Sequence, residues 1–341
     1  MQRFSHNTVR EDWLASRQEA AIDPDQPIID AHHHLFDRPD QRYLAEDFAA
    51  DIGVDLNMRA TVVVQARSFY HTNGPEMFRP VGETEFAAAV AAKAAASGGP
   101  KLCAAIVGYA NLMLGTAVRP VLEAHLAAGK GMFRGIRHIL TWDADERLLN
   151  PAYPATADMM ESAALRAGFA QLADLRLSFD AWIFFHQIPA LTALARRFPN
   201  VDIILNHCGG ILGIGAHAGR REDVFKHWRA AMSELATCPN VSVKIGGLGM
   251  ALSGFGFEQL EQAPSSEILA SAWRPWVQSC IELFGANRCM FESNFPVDKG
   301  SYGYVTGWNA MKRLAADLTA DERNALFFGT AGHIYRLGSM K

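Results

Sequence analysis

From Ile28 to the C-terminus, short runs rich in β-branched and aromatic residues alternate with longer stretches patterned for helices, and the alternation repeats eight times. The strand-like runs are 27–30, 60–65, 102–108, 133–140, 178–185, 202–206, 241–245 and 288–293. Helix-patterned stretches follow at 83–96, 117–128, 161–175, 189–198, 221–237, 267–284 and 307–317, with a last one near 321–328. Parallel strands need crossover connections, and helices fill them, so the pattern predicts an α/β chain folded as a (β/α)8 TIM barrel. A doubly wound open sheet is the rival, but no G-x-G-x-x-G follows an early strand. A chain of 341 residues suits one such barrel with insertions. The expected layout is an N-terminal extension over residues 1–26 and a single barrel domain over 27–341. Long βα loops at 69–80, 141–158 and 246–264 belong above the strand C-termini, where barrels bind substrates.

Composition narrows the function classes. A formal net charge of -4 gives no electrostatic reason to expect nucleic acid or an anionic membrane as partner. The five cysteines, Cys103, Cys208, Cys238, Cys280 and Cys289, are odd in number and lack a C-x-x-C pair, so they read as reduced thiols of a cytoplasmic protein. No apolar run approaches bilayer length, and the first residues lack the apolar core of a signal peptide. The expected partner is a small-molecule substrate; homo-oligomerisation is left open.

The run Ile28-Ile29-Asp30-Ala31-His32-His33-His34 places three consecutive histidines at the end of the first strand. Side chains alternate along a strand, so Asp30, His32 and His34 are expected on one face and Ala31, His33 and Leu35 on the other. Two imidazoles in H-x-H spacing can reach one ion at the barrel mouth. Asp30 reads as orienting a histidine or capping the mouth, and His33 as packing outward. Two other strands end in histidine, at His186 and at His207, the latter followed by Gly209-Gly210. The remaining histidines, His6, His71, His125, His217, His227 and His333, fall in helices, loops or the tail and read as structural.

The segments "IIDAHHHLFD", "FRGIRHIL", "HQIPALTALARRFPNVDIILNHCGG", "NVSVKIGGL", "RCMFESNFPVD" and "LFFGTAGHIYRL" together resemble the amidohydrolase-2 branch of the amidohydrolase superfamily. They are most similar to its lactonase-like group, the sugar-lactone and 2-pyrone-4,6-dicarboxylate lactone hydrolases. The resemblance runs in order across nearly the whole chain. It implies metal or substrate contacts for His32, His34 and His207, and a divalent metal such as Zn2+ or Mn2+. Metal-independent hydrolysis stays open, because a lactone is already strained and acyl-activated. Arg137 in "GIRHIL" is implied to bind a substrate carboxylate or lactone oxygen, a task its planar fork suits.

One departure stands out. Relatives in this group usually carry a G-S-D-W-P-like motif at strand eight, whose Asp ligates metal or activates water. Here the stretch reads "FESNFPVD", so Asn294 takes that position. An amide oxygen can coordinate a cation but cannot accept a proton at neutral pH. Glu292 lies two residues back on the same strand face and is expected to supply the missing carboxylate, as ligand or general base. Its structural alternative is an ion pair with Lys244 on strand seven. Metal ligation is therefore assigned to His32, His34, His207 and Asn294, with Glu292 and Lys244 added to the catalytic set. Gln65, Arg67, Arg137, His138, His186 and Trp142 are assigned to substrate binding. Trp142, Tyr70, Phe255 and Phe257 suggest an apolar wall.

The expected reaction is hydrolytic opening of a lactone of a small carboxylate-bearing or aromatic-derived metabolite. Two alternatives accompany it: a metal-dependent decarboxylase or hydratase of an aromatic or enol carboxylate, and a binding barrel that lost catalysis with its Asp. The lack of G-x-S-x-G after a strand argues against a Ser-His-Asp hydrolase.

Overall fold

The computed structural model describes residues 6–39 and 41–338. Eight parallel strands follow one another in sequence order around one sheet: β1 (Ile28–His33), β2 (Met58–Val64), β3 (Lys101–Gly108), β4 (Phe133–Ile136), β5 (Ser178–Ala181), β6 (Ile203–Leu205), β7 (Val241–Ile245) and β8 (Cys289–Phe291). The two ends meet just beyond β8. There the Asn294 N–H donates to the His32 carbonyl at 2.9 Å and the His34 N–H to the Phe295 carbonyl at 2.8 Å, so the sheet is nearly closed into a barrel.

All eight expected strands are present, each followed by a helix: Ala45–Ile52, Val81–Ser97, Arg119–Ala128, Ala163–Asp174, Ile188–Arg197, Arg221–Leu235, Ser266–Phe284 and Tyr304–Leu314. Ala45–Ile52 was not expected. It is short and acidic in its first turn, and it is held by the Asp47 carboxylate accepting the Leu44 N–H at 2.8 Å. β4 and β5 end earlier than their apolar runs predict, at Ile136 and Ala181, and only a single bridge between Ile139 and Trp182 continues the pairing. Past those points the chain splays into rim loops, and this exposes Arg137 and Trp182 to the mouth.

Two apolar layers hold the barrel. Residues such as Ile106, Phe179, Val243 and Phe291 face outward onto the helices, while Ile29, Ala60, Val62, Val64, Ala105, Val107, Ile204 and Met290 fill the interior. Tyr335, from the C-terminal helical segment, joins the interior set and plugs its lower end. Before β1, the chain packs on the loop after β7: the Trp13 indole donates to the Leu260 carbonyl at 3.0 Å, and Glu19 accepts the Ser266 N–H at 2.7 Å.

The alternation along β1 carries a correction. Asp30 pairs with Thr61 but His33 pairs with Val63, so β1 holds one extra residue there. Such a bulge lets two successive side chains point the same way. Ala31 faces inward with Ile29, and His32 does too. Asp30 therefore lies on the outer face, opposite to the expectation. It accepts the Ser293 N–H at 2.9 Å and the Tyr304 hydroxyl at 2.9 Å, which ties β1 to the segment after β8 instead of orienting a histidine ring. Burial pushes its carboxyl up to about 6. His33 packs outward as expected, stacked 4.1 Å from Phe48 with its Nε2 2.9 Å from Thr61 Oγ1.

Candidate active site

At the floor of the mouth, the ends of β1, β6 and β8 bring His32, His34, His207 and Glu292 together. His32 Nε2 lies 3.1 Å from His34 Nε2, and the His32 and His207 ring centroids are 4.6 Å apart. Glu292 Oε1 accepts from His207 Nδ1 at 2.7 Å, and Oε2 lies 3.0 Å from His32 Nδ1. The second approach is close but poorly aligned, leaving Oε2 without a well-formed hydrogen bond among the described residues.

Lys244 takes its ion pair from Asp180, at 2.6 Å, and not from Glu292, so the structural alternative for Glu292 is overturned. The pair sits under His32, with Lys244 Nζ 3.4 Å from His32 Nδ1. The Asp180 carboxylate also receives the Tyr335 hydroxyl at 3.0 Å and the Asn206 amide at 3.0 Å. A completely buried ion pair survives only where its remaining lone pairs are satisfied, and these two donors do that.

Local backbone explains the glycines around the site. A Cβ on Gly246 would stand 2.4 Å from Glu292 Cγ, and one on Gly247 would stand 2.5 Å from His207 Nδ1. Both positions of the "KIGGL" segment are thus kept bare for the Glu292–His207 contact. His207 itself begins four successive residues with positive φ, His207, Cys208, Gly209 and Gly210. Left-handed backbone costs about 1–2 kcal/mol for a residue with a side chain, and the two glycines relieve half of that turn.

The imidazole tautomers follow from their partners. His34 Nδ1 lies 2.7 Å from the Val64 carbonyl, which can only accept, so the proton sits on Nδ1 and Nε2 carries a lone pair. The Glu292 carboxylate fixes His207 the same way. His32 Nδ1 meets both Glu292 Oε2, which only accepts, and Lys244 Nζ, which only donates, while its Nε2 lies against the His34 lone pair. Burial, then the cationic Lys244, holds the His32 pKa well below its ordinary value. For His34 the causes are burial and then Arg137. Burial also lowers His207, against an opposing pull from Glu292. His32 and His34 bring their Nε2 atoms to 3.1 Å, near the edge of about 3.3 Å expected between tetrahedral ligands of zinc. His32, His207 and Glu292 offer ligand atoms that all lie within 4.8 Å of one another. The donor set fits a divalent cation.

Arg137 enters from above. Its Nη1 is 3.2 Å from His32 Nε2, its Nη2 donates to the Gln65 carbonyl at 2.6 Å, and its buried Nε has no partner among the described residues. Above this floor opens a cavity of about 650 Å³. Its lining includes Arg38, Arg67, Arg137, His6, His34, His207 and Asn294, with Ile139, Leu148, Trp182, Phe184, Met250 and Leu252 as the apolar wall. Among the described residues, no Asp or Glu lines it.

Several expected residues stand elsewhere. Gln65 uses its side-chain oxygen on the Tyr153 hydroxyl at 2.6 Å, and Tyr153, not Gln65, reaches the cavity. His138 faces away and packs edge-on against Tyr109. His186 and Trp142 are outside the lining, and Phe255 and Phe257 stack on each other beside Trp273, packing loop to barrel. Tyr70 is likewise absent from the wall. The Asn294 amide donates to Asp298 at 2.7 Å, which leaves its oxygen free of that bond. Asp298 also accepts from Gly249 N–H and the Tyr302 hydroxyl, and burial pushes its carboxyl up to about 7. Sequence reasoning missed Arg38, on the short strand Phe36–Arg38 that follows β1, and His6, in the N-terminal segment; both line the cavity. No periodicity marks either one.

The family model described as Amidohydrolase matches residues 29–337. The chain belongs to the amidohydrolase family. Among relatives, a Sinorhizobium fredii protein called y4mH is 33% identical over 92% of this chain and 99% of its own. An L-fucono-1,5-lactonase from Burkholderia ambifaria is 32% identical over 69% of this chain and 71% of its own length. A crystal structure of an amidohydrolase from Burkholderia multivorans with bound zinc has a TM-score of 0.70 and 25% identity, covering 91% of this chain and 99% of that one. These findings make the chain an enzyme of the amidohydrolase superfamily with the barrel its sequence predicts. No helix among the described residues is long and apolar enough to cross a membrane.

Proposed function

We propose that this enzyme opens a lactone that carries a carboxylate. The observation behind the reading is the cavity wall, which among the described residues presents three guanidinium groups and no carboxylate. A charge-assisted hydrogen bond from one of them contributes about 1.5–3 kcal/mol to holding an anion. The lactonase-named relative supports the reaction class, and the apolar wall suits a ring.

In this reading Arg137, with Nε unpartnered, binds the lactone carbonyl or a neighbouring carboxylate, and Arg67 and Arg38 hold the distal anionic group. Arg67 is positioned by the loop after β2, where Glu83 accepts the Ala66 and Ser68 N–H groups at 2.8 and 3.0 Å. His207 Nε2 takes a proton from the attacking water while Glu292 stabilises the imidazolium through Nδ1. This is a carboxylate–histidine pair built with Glu292 where Asn294 replaces the usual strand-eight Asp. The water oxygen bonds to the carbonyl carbon, the ring C–O bond breaks, and the alkoxide takes up the proton held by His207. Water adds across the ester, and the product acid ionises to release one proton per turnover.

In place of the base role of His207, the imidazoles of His32, His34 and His207 would hold a divalent cation, with the Asn294 oxygen as a further donor. Such an ion would supply a lowered pKa for bound water and polarisation of the carbonyl. With His207 as a ligand, Glu292 fixes its tautomer.

The test is a proton-release assay on paired lactones with and without a ring carboxylate, run beside a carbon dioxide assay on aromatic carboxylates. The expected result is proton release, with kcat/KM about 10- to 100-fold higher for the carboxylated member. Equal turnover of neutral lactones, or carbon dioxide release alone, overturns it.

A further inference from the structure

A second cluster lies outside the lining of this cavity. We propose that Asp143, His186 and His217 form a separate binding site for a divalent transition-metal ion of the zinc class. Asp143 Oδ2 is 2.9 Å from His186 Nε2 and 3.0 Å from His217 Nε2, and the three ligand atoms all lie within 4.8 Å of one another. One carboxylate oxygen and two imidazole nitrogens therefore meet at one point, a donor set that zinc and its neighbours favour.

The arrangement is fixed by packing. The two rings are nearly parallel, 6.2 Å apart, and each stands edge-on to Phe185 at 5.4 Å. Asp143 Oδ1 is occupied by the Asp145 N–H at 2.7 Å, which leaves Oδ2 as the oxygen facing the rings. The Asp143 side chain is 7% exposed, against 29% for His186 and 17% for His217. An ion there would have three protein ligands from inside and an open position toward water. To bind the ion, each ring would turn the Nε2 that now faces Asp143 Oδ2 into a lone-pair donor, with its ring proton carried on Nδ1.

The ligands come from the loops after β4, β5 and β6. Two of those loops also wall the cavity, through Thr141 and Leu148 and through Phe184. An ion at this point would fasten them together, so the site acts as a clamp on one side of the substrate cavity.

The test titrates chelator-treated full-length protein with Zn2+ by calorimetry, with thermal unfolding read on the same samples. The wild type is expected to bind one equivalent more than His217→Ala and His186→Ala. His34→Ala, altered only at the mouth, is expected to retain that rim equivalent. Zinc is expected to raise the unfolding temperature of His34→Ala but to raise that of the double variant His34→Ala/His217→Ala far less. Both rim histidines are partly exposed, so the metal-free variants should unfold near the wild-type temperature. Equal zinc uptake by wild type and both rim variants, or no uptake by wild type, overturns the proposal.

Discussion

Two histidine–carboxylate clusters use the same chemical groups in opposite settings. Glu292 with His32 and His207 sits on strand ends, its side chains almost wholly excluded from solvent. Asp143 with His186 and His217 sits on rim loops, with both imidazoles reaching water. In the first, each group is held by a second partner beneath or beside it, and burial keeps the imidazoles neutral. In the second, burial acts on Asp143 to raise its carboxyl, but hydrogen bonds from Asp145 N–H, His217 and His186 outweigh that and hold it below its ordinary value. The difference teaches that strand ends fix a donor set by backbone geometry, whereas loops need the cluster's own bonds to hold it.

The strongest way to break the contrast is to cut the support beneath the buried cluster. Lys244→Met leaves Asp180 as an unpaired buried charge and should cost about 3–5 kcal/mol in urea unfolding, with much of it recovered in Lys244→Met/Asp180→Leu. A loss below 1 kcal/mol would mean that the ion pair does not support the floor. Next comes Glu292→Gln, which keeps shape but removes the charge that stabilises His207 as it accepts a proton. Turnover should drop by about 10²- to 10⁴-fold with a native circular-dichroism spectrum, while Asp143→Asn on the rim changes it only a few-fold. Similar losses in both variants would erase the distinction between the clusters.

Arg137→Ala should lower kcat/KM about 100-fold for a carboxylated lactone and much less for a neutral one. An equal loss on both would move Arg137 from anion recognition to general support of the floor.

A smaller effect sharpens the rule that burial keeps imidazoles neutral. His125 donates from Nε2 to the Tyr109 carbonyl at 3.0 Å and accepts the Thr84 hydroxyl at Nδ1, and burial pushes its pKa down to about 4. Its folded value lies below its unfolded one, so the unfolded chain binds the extra proton between them. That stability is present above pH 6.5 and is lost as pH falls toward 4. Between pH 7.5 and 5 the term amounts to about 2 kcal/mol, which should vanish from the pH slope of His125→Gln measured by urea unfolding. An unchanged slope would show that His125 is not the titrating group.

Much of this was legible in the sequence, for identifiable reasons. The eight strands were readable because each is a short β-branched run between helical patterns. His34 and His207 were readable because they end two of those runs. Glu292 was readable by counting two residues back from Asn294. The outward turn of Asp30 was not, because a one-residue bulge changes the alternation without altering composition. Asp180 as the partner of Lys244 was hidden because strand registers across the barrel decide it. Arg38, His6 and His217 were missed because their places depend on loop paths, and Ala45–Ile52 because eight residues carry little periodic signal.

The proposed chemistry needs His34 and His207 as neutral rings with bare Nε2 atoms, their Nδ1 protons held by the Val64 carbonyl and by Glu292. Long-range ¹H–¹⁵N correlation spectra of ¹⁵N-histidine-labelled protein at pH 7.5, assigned with His34→Ala and His207→Ala, read that directly. Both rings should appear as neutral Nδ1–H tautomers, and the His207 signal should change its coupling pattern in Glu292→Gln. Imidazolium or Nε2–H signals for His34 and His207 would contradict it.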